Sequence, residues 1–250
     1  MPQERMKPMS NICIIVGHGK SKDGGYDSGA VNGSYHEFRI AREIAKYAAE
    51  HLNANFDVNA DLMNYDGSLY LTDRIKEVNK ADYDFIAEIH LNAGGGKGTE
   101  VYYYHDSPTG LKAAQAIAMN ISKAFSVPNR GAKVWLNDNG KDYFAIIRET
   151  KPCAILVETL FIDNDDELAM LKTTEGQKRC GIMIAEGIAA AKGLKVIAKS
   201  ETTVAPQPSA KKSYCVQVGP YSAKSDAESI REGLEKLGFN SKTWRYKNGT

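Results

Sequence analysis

The sequence predicts an α/β protein: a mostly parallel, twisted sheet flanked by helices, followed by a small C-terminal βαβ unit. Three observations carry this. Short apolar runs at residues 12–16, 85–91 and 153–157 end abruptly, as strands buried on both faces of a parallel sheet do. Stripes of apolar residues at helical spacing alternate with those runs, which is the pattern of βαβ connections. The 250 residues, 42% of them hydrophobic, suffice for one sizeable core and an appendage.

In chain order, Asn11 to Val16 is the first expected strand, closed by Gly17-His18-Gly19 and a loop rich in Gly and Asp. Glu37 to Leu52 is helical, because Phe38, Ile44, Ala45, Ala48 and Leu52 form one stripe. Phe56 to Ala60 follows as a strand. Ser68 is the expected cap of a helix that turns Leu71, Ile75 and Val78 inward. Phe85 to Leu91 is a strand stopped by Gly94-Gly95-Gly96, and Thr99 to His105 is another, rich in strand-favouring tyrosines. Pro108 opens a helix that runs to Phe125. A short strand is expected at Ala132 to Trp135 and a helix at Tyr143 to Thr150. Cys153 to Val157 is a buried strand that Glu158 should end. Asp165 or Asp166 opens a short helix, and Gln177 to Ala191 is the last long one.

Residues 10–195 therefore read as one large α/β domain. Residues 196–212, rich in Ser, Thr, Ala and Pro, read as an extended linker. Residues 213–250 form the small unit: a strand at Tyr214, Val216 and Val218, a capping box at Ser225 to Glu228, a helical face at Ala227, Ile230, Leu234 and Leu237, and a possible strand at Lys242 to Tyr246. So small a unit rarely sustains its own core, so pairing with a second copy, a homodimer, is expected unless it is poorly ordered.

A net charge of +1 provides no field for nucleic acid or anionic membrane, and no apolar run is long enough for membrane insertion. The first ten residues lack an apolar core of the secretory kind, so synthesis in the cytoplasm without a signal peptide is expected. Cys13, Cys153, Cys180 and Cys215 show no CxxC spacing and read as buried, reduced thiols.

Strand ends concentrate the ionisable residues. His18 follows the first strand, His90 ends the third, and Glu158 ends the Cys153 strand. Ligands gather outside that edge of an open α/β sheet. Glu37, at the head of the first helix, is tethered beside the His18 loop, with His36 as its rival for the same position. Two histidines and a carboxylate can hold a catalytic zinc with a position left for water, and a further carboxylate can move protons. His18, Glu37 and His90 are the candidate metal ligands and Glu158 the candidate acid/base. Taken singly, each would more often be a solvated or structural residue. Gly17-His18-Gly19-Lys20-Ser21 is not a phosphate loop, because Ile14 stands where the first glycine is needed. Arg74 should anchor its helix by an ion pair. His51 and His105 read as surface residues, the tyrosines 102–104 as packing, and Asp163 to Glu167 as a helix cap rather than a calcium site.

These residues sit in stretches that resemble the zinc-dependent N-acetylmuramoyl-L-alanine amidases of the Amidase_3 type. The stretches are Ile14 to Gly19, Glu37, Ile89 to Ala93, Gly98 to Tyr102, Asn129 to Lys133 and Leu156 to Phe161. The resemblance implies one Zn²⁺ on His18, Glu37 and His90, with Glu158 as catalytic acid/base. It implies cleavage of the amide between the muramic acid lactyl group and L-alanine of bacterial peptidoglycan. Asn92, a possible oxyanion donor, Arg130 and Lys133 are expected to contact substrate. Thr159-Leu160 departs from many relatives, which carry a small residue and Gly there. The tail from Tyr214 to Tyr221 looks like half of a SPOR-type glycan-binding repeat. The chain then resembles a phage endolysin or a mother-cell autolysin, acting on the wall after release by a holin or by lysis. A zinc peptidase cutting the stem peptide and a non-catalytic wall-binding protein are the alternatives.

Overall fold

A computed structural model describes residues 10–197 together with Ser225, Glu228 and Arg231, which are helical. Contacts divide the chain into units 1–199 and 200–250. The expected C-terminal strands, their glycan binding and their pairing with a second copy lie outside the described residues.

The elements are β1 (Ser10–Val16), β2 (Gly19–Lys20), β3 (Tyr26–Asp27), β4 (Val31–Asn32), β5 (Tyr35–His36), α1 (Glu37–Asn55), β6 (Val58–Met63), α2 (Leu71–Lys80), β7 (Phe85–Asn92), β8 (Thr99–Tyr103), α3 (Pro108–Phe125), β9 (Asn129–Lys133), α4 (Ala145–Arg148), β10 (Cys153–Phe161), α5 (Asp165–Leu171) and α6 (Thr174–Lys192). Six strands form one sheet in the order β6-β1-β7-β10-β8-β9. All neighbours are parallel except β8, which runs against β10. The expected α/β class, with a mostly parallel sheet between helices, is what the fold shows.

Strand alternation sorts the core into two layers. Ile14, Val16, Ile89, Val101 and Val157 face α1, α3 and α6. Cys13, Ile15, Ile86 and Leu156 face α2 and α4. Ile14, Ile89 and Ile155 are fully buried, and burial of each such side chain stabilises the fold by about 1.5–3 kcal/mol. Helix α6 lies close to α1 and α3 because it is glycine where they meet: a Cβ on Gly181 would fall 2.6 Å from the Ile44 carbonyl oxygen, and one on Gly187 2.5 Å from Ile117. Ser107 caps α3 by accepting from the Gly110 N–H at 3.0 Å, and Pro108 occupies the first turn. Cys13, Cys153 and Cys180 are free thiols, with Cys13 and Cys180 buried. No described helix is long and apolar enough to cross a membrane.

Several boundaries differ from the sequence reading. Ser68 does not cap α2: its hydroxyl donates to Asp66 at 2.8 Å, and the helix begins after Tyr70 with no side-chain cap. Strand β8 stops at Tyr103, and β9 begins at Asn129 because it pairs in parallel with β8. Only Ala145–Arg148 of the expected 143–150 helix is helical; Tyr143 instead returns its N–H to the Trp135 carbonyl at 2.7 Å. Strand β10 does not end at Glu158. It continues to Phe161 past a register shift, because Leu160 and Phe161 are buried.

Candidate active site

One row across the sheet organises the site. His90 on β7 is paired in register with Glu158 on β10, and Glu158 with Glu100 on β8. Register partners project to the same face, so the three side chains stand side by side. Glu88, two residues before His90, shares that face.

His18 reaches the row from β1. Its φ of 63° is left-handed, a conformation that strains an L-residue but turns the chain back at once. Asn64 holds this bend: its carboxamide donates to the Val16 and His18 carbonyls at 2.8 Å each and accepts from the Leu69 N–H at 3.0 Å. Glu37 enters at the first position of α1 and is almost fully buried. Its Oε2 accepts from the Ala30 N–H at 2.8 Å, leaving Oε1 to face both histidines. His36, its rival, points elsewhere and stacks on Tyr26 at 6.2 Å between centroids.

The donors converge. Glu37 Oε1 lies 3.1 Å from His18 Nε2 and 2.9 Å from His90 Nδ1. One ligand atom from each of the three residues falls within 4.8 Å of the others, the single such group of three among the described residues. The far ring nitrogens are held too. His18 Nδ1 is 2.9 Å from Asp27 Oδ2, and His90 Nε2 is 3.2 Å from Glu88 Oε2. A carboxylate behind each imidazole fixes its ring and tautomer, the arrangement that supports metal-bound histidine. Two imidazole nitrogens and one carboxylate oxygen are a donor set suited to zinc. The residues present fit a metal ion.

Glycines leave room for this cluster. A Cβ on Gly17 would sit 2.2 Å from the His90 ring. Gly29, left-handed at φ 64°, would bring a Cβ to 2.6 Å from Glu37 Oε2. Beneath the cluster, Arg74 Nε donates to Glu88 Oε1 at 2.9 Å, and its Nη1 donates to the His18 and Leu69 carbonyls at 3.0 Å each. The ion pair expected of Arg74 is thus a buried one, and it ties α2 to β7 directly behind His90.

Burial opposes charge on both histidines. Hydrogen bonds to Glu37 and Asp27 nevertheless raise His18, and those to Glu37 and Glu88 raise His90 well above the ordinary value. Burial would likewise raise Glu37, but the two histidines outweigh it and hold the carboxyl well below the usual carboxylate range. Glu158 differs. Burial pushes its carboxyl up to about 7, with Glu37 and Glu100 adding to the effect and His90 opposing it. Its Oε2 is buried and has no hydrogen-bond partner among the described residues. A carboxyl group poised near neutrality can both take and give a proton.

A cleft of about 450 Å³ opens on the cluster. His18, Glu37, His90, Asn92 and Glu158 line it, with Tyr70, Leu71 and Phe144 among the walls. Asn92 donates its Nδ2 to Glu100 at 2.9 Å. Arg130 and Lys133 lie outside the cleft lining and converge on Glu100 instead, at 2.5 Å and 2.6 Å. The acidic run at 163–167 braces the neighbouring glycine loop: Asp163 accepts from the Gly94 and Gly95 N–H groups at 2.7 Å each, and Glu167 from Gly98 at 2.6 Å. Asn164 is the residue that caps α5. Asp27, Asn64, Glu88 and Glu100 escaped the sequence reading. Period-two alternation with His90 was the available signal for Glu88; Asp27 and Asn64 lie in loops without periodicity.

Residues 12–190 match the family model Amidase_3, described as N-acetylmuramoyl-L-alanine amidase. The chain is 29% identical over 236 residues to the sporulation-specific N-acetylmuramoyl-L-alanine amidase of Bacillus subtilis, covering 93% of this chain and 84% of that one. It is 33% identical over 193 residues to an endolysin of Bacillus phage SPP1, covering 74% of this chain and 66% of the endolysin. Among solved structures, an N-acetylmuramoyl-L-alanine amidase from Clostridium difficile 630 superposes with a TM-score of 0.65 at 25% identity, over 75% of this chain and 98% of that one.

Proposed function

This chain belongs to the Amidase_3 family of N-acetylmuramoyl-L-alanine amidases, enzymes of peptidoglycan hydrolysis, and from that premise we propose that it cleaves the lactyl–alanine amide with a single zinc ion held by His18, Glu37 and His90. The observation that carries the reading is the shared Glu37 oxygen between two imidazoles, each backed by a second carboxylate. Bound there, the ion would supply Lewis acidity, making a water nucleophilic near neutral pH and polarising the amide carbonyl.

The chain's own residues do the rest. Asp27 and Glu88 orient the two imidazoles, and Arg74 fixes Glu88 in turn. Glu158 is the acid/base. Its carboxylate takes a proton from the attacking water and delivers it to the departing alanine nitrogen. Burial keeps its affinity for that proton high enough for both steps. Asn92 lines the cleft, and its second amide hydrogen would donate toward the developing oxyanion. Arg130 and Lys133, about one-third exposed and sharing one carboxylate, retain positive charge for an anionic group of the stem peptide.

Mass spectrometry of digested cell wall tests the bond assignment. Released peptides beginning at L-alanine, together with free muramic lactyl carboxylates, are expected, and a chelator should abolish both. New ends within the stem peptide would point to a peptidase instead.

A further inference from the structure

An aromatic surface that the hydrolysis does not use lies on the loop between β9 and α4. Leu136 and Asp142 bridge in antiparallel fashion, and the Tyr143 N–H donates to the Trp135 carbonyl at 2.7 Å, so the loop folds back as a narrow hairpin. Its tip, Asn137 to Gly140, is polar. Arg148 Nη1 donates to the Asp142 and Tyr143 carbonyls at 2.7 Å and 2.8 Å, and His105 Nδ1 lies 2.6 Å from Asp142 Oδ2.

Trp135 and Tyr143 face each other across this hairpin, stacked within 6° of parallel and 4.0 Å apart at their centroids. Phe144 stands at right angles to both, at 5.6 Å and 5.3 Å. Phe144 is also a wall of the cleft that holds His18, Glu37, His90 and Glu158. The stacked pair therefore continues that wall outward from the rim. Trp135 is 46% exposed and Tyr143 49%, with exposed Val134 and Leu136 beside them.

A cross-strand aromatic pair can serve its hairpin alone. Here the backbone bonds, Arg148 and Asp142 already hold the hairpin. Four large apolar side chains left exposed together at a cleft mouth mark a surface that meets a ligand. A lipid does not suit it, because Asn137, Asp138 and Asn139 at the tip would enter the bilayer first. The amide cut in the cleft hangs from a sugar, so the strand that carries it must leave past the rim. A pyranose has a flat face of C–H bonds, drawn to the negative face of an aromatic ring. Its hydroxyl rim suits the indole N–H and the phenol O–H.

We propose that Trp135 and Tyr143 form a sugar subsite, which takes a pyranose of the glycan strand next to the muramic residue being cut. The idea rests on the amidase reading. It makes the chain prefer strands over single muramyl peptides.

The test uses the zinc-loaded full chain and two substrates: peptide-bearing glycan strands of several disaccharides, and a muramyl peptide with one sugar. Trp135→Leu keeps apolar bulk but removes the ring. Its ratio of kcat/KM on strands to kcat/KM on the muramyl peptide should fall on the order of tenfold, through KM. Trp135→Tyr, which restores a ring, should recover most of that ratio. An unchanged ratio, including equal losses on both substrates from a damaged cleft wall, would overturn the proposal. A second readout needs no turnover and no altered hairpin. Trp244→Phe leaves Trp135 as the sole tryptophan, and its emission should shift as peptide-free glycan strands are added. An unmoved emission would overturn the subsite. So would a dimer that Trp135→Leu abolishes without any response to glycan, which would assign the surface to a second copy of the chain. A wild-type chain that cleaves neither substrate while Trp135 still responds to strands would sink the amidase reading alone.

Discussion

Gly17→Ala should disable the site while sparing the fold. Gly17 is not among the left-handed glycines, so alanine meets no backbone strain there. The added methyl, however, would sit 2.2 Å from His90 Cε1 and 2.3 Å from Nε2. Ordinary contact begins at 3.4 Å, so the ring must retreat by roughly 1.2 Å. It cannot do so freely, because Glu37 holds Nδ1 and Glu88 holds Nε2. Displacements of about 1 Å at a catalytic group cost on the order of 10²-fold. Zinc affinity, measured by competition with a chromophoric chelator, should therefore fall on that scale, and kcat/KM at limiting zinc with it. The circular dichroism spectrum should be unchanged. Zinc affinity and turnover within twofold of wild type would show that His90 does not stand where a ligand must.

Three further outcomes follow from the same geometry. Glu158→Gln should keep one zinc per chain yet lose about 10²–10⁴-fold in kcat, read from muropeptide turnover alongside elemental analysis. Arg74→Met strands the buried Glu88 carboxylate, so chemical denaturation should report a loss of about 3–5 kcal/mol. Burial would raise Glu100, but Lys133, Arg130 and Tyr102 outweigh it and hold its pKa at about 2, below the ordinary 4.5. A depressed carboxylate stabilises the fold above its ordinary pKa and loses that contribution as pH falls through the folded value. Thermal midpoints should therefore drop between pH 4.5 and 2, and Glu100→Gln should flatten part of that drop.

Much of this arrangement is legible in the chain because strand ends are legible. The run from Phe85 to Leu91, closed by three glycines, places His90 at the sheet edge from sequence alone. The stripe behind Glu37 places that residue at a helix head. What sequence does not reveal is contact across loops. Asp27 lies in a stretch of Gly and Asp with no period, and only the tertiary fold brings it to His18. Asn64 clamps the His18 bend from 46 residues away. In sequence Glu158 reads as the strand end because its charge closes the apolar run, yet Thr159 beyond it is buried, its hydroxyl donating to the His90 carbonyl at 3.0 Å. Two residues on, the Phe161 ring packs against Gly96, where a Cβ would fall 2.5 Å from it. Arg130 and Lys133 are cations in a matched stretch, but only register shows that both are committed to Glu100.

Anomalous diffraction at the zinc edge from crystals of the zinc-loaded chain bears most directly on the proposed centre. Expected is one strong peak in the catalytic unit, within coordinating distance of His18 Nε2, Glu37 Oε1 and His90 Nδ1, with Glu158 beside it but not bound. A peak elsewhere, or none in protein that cleaves the lactyl–alanine amide, would contradict it.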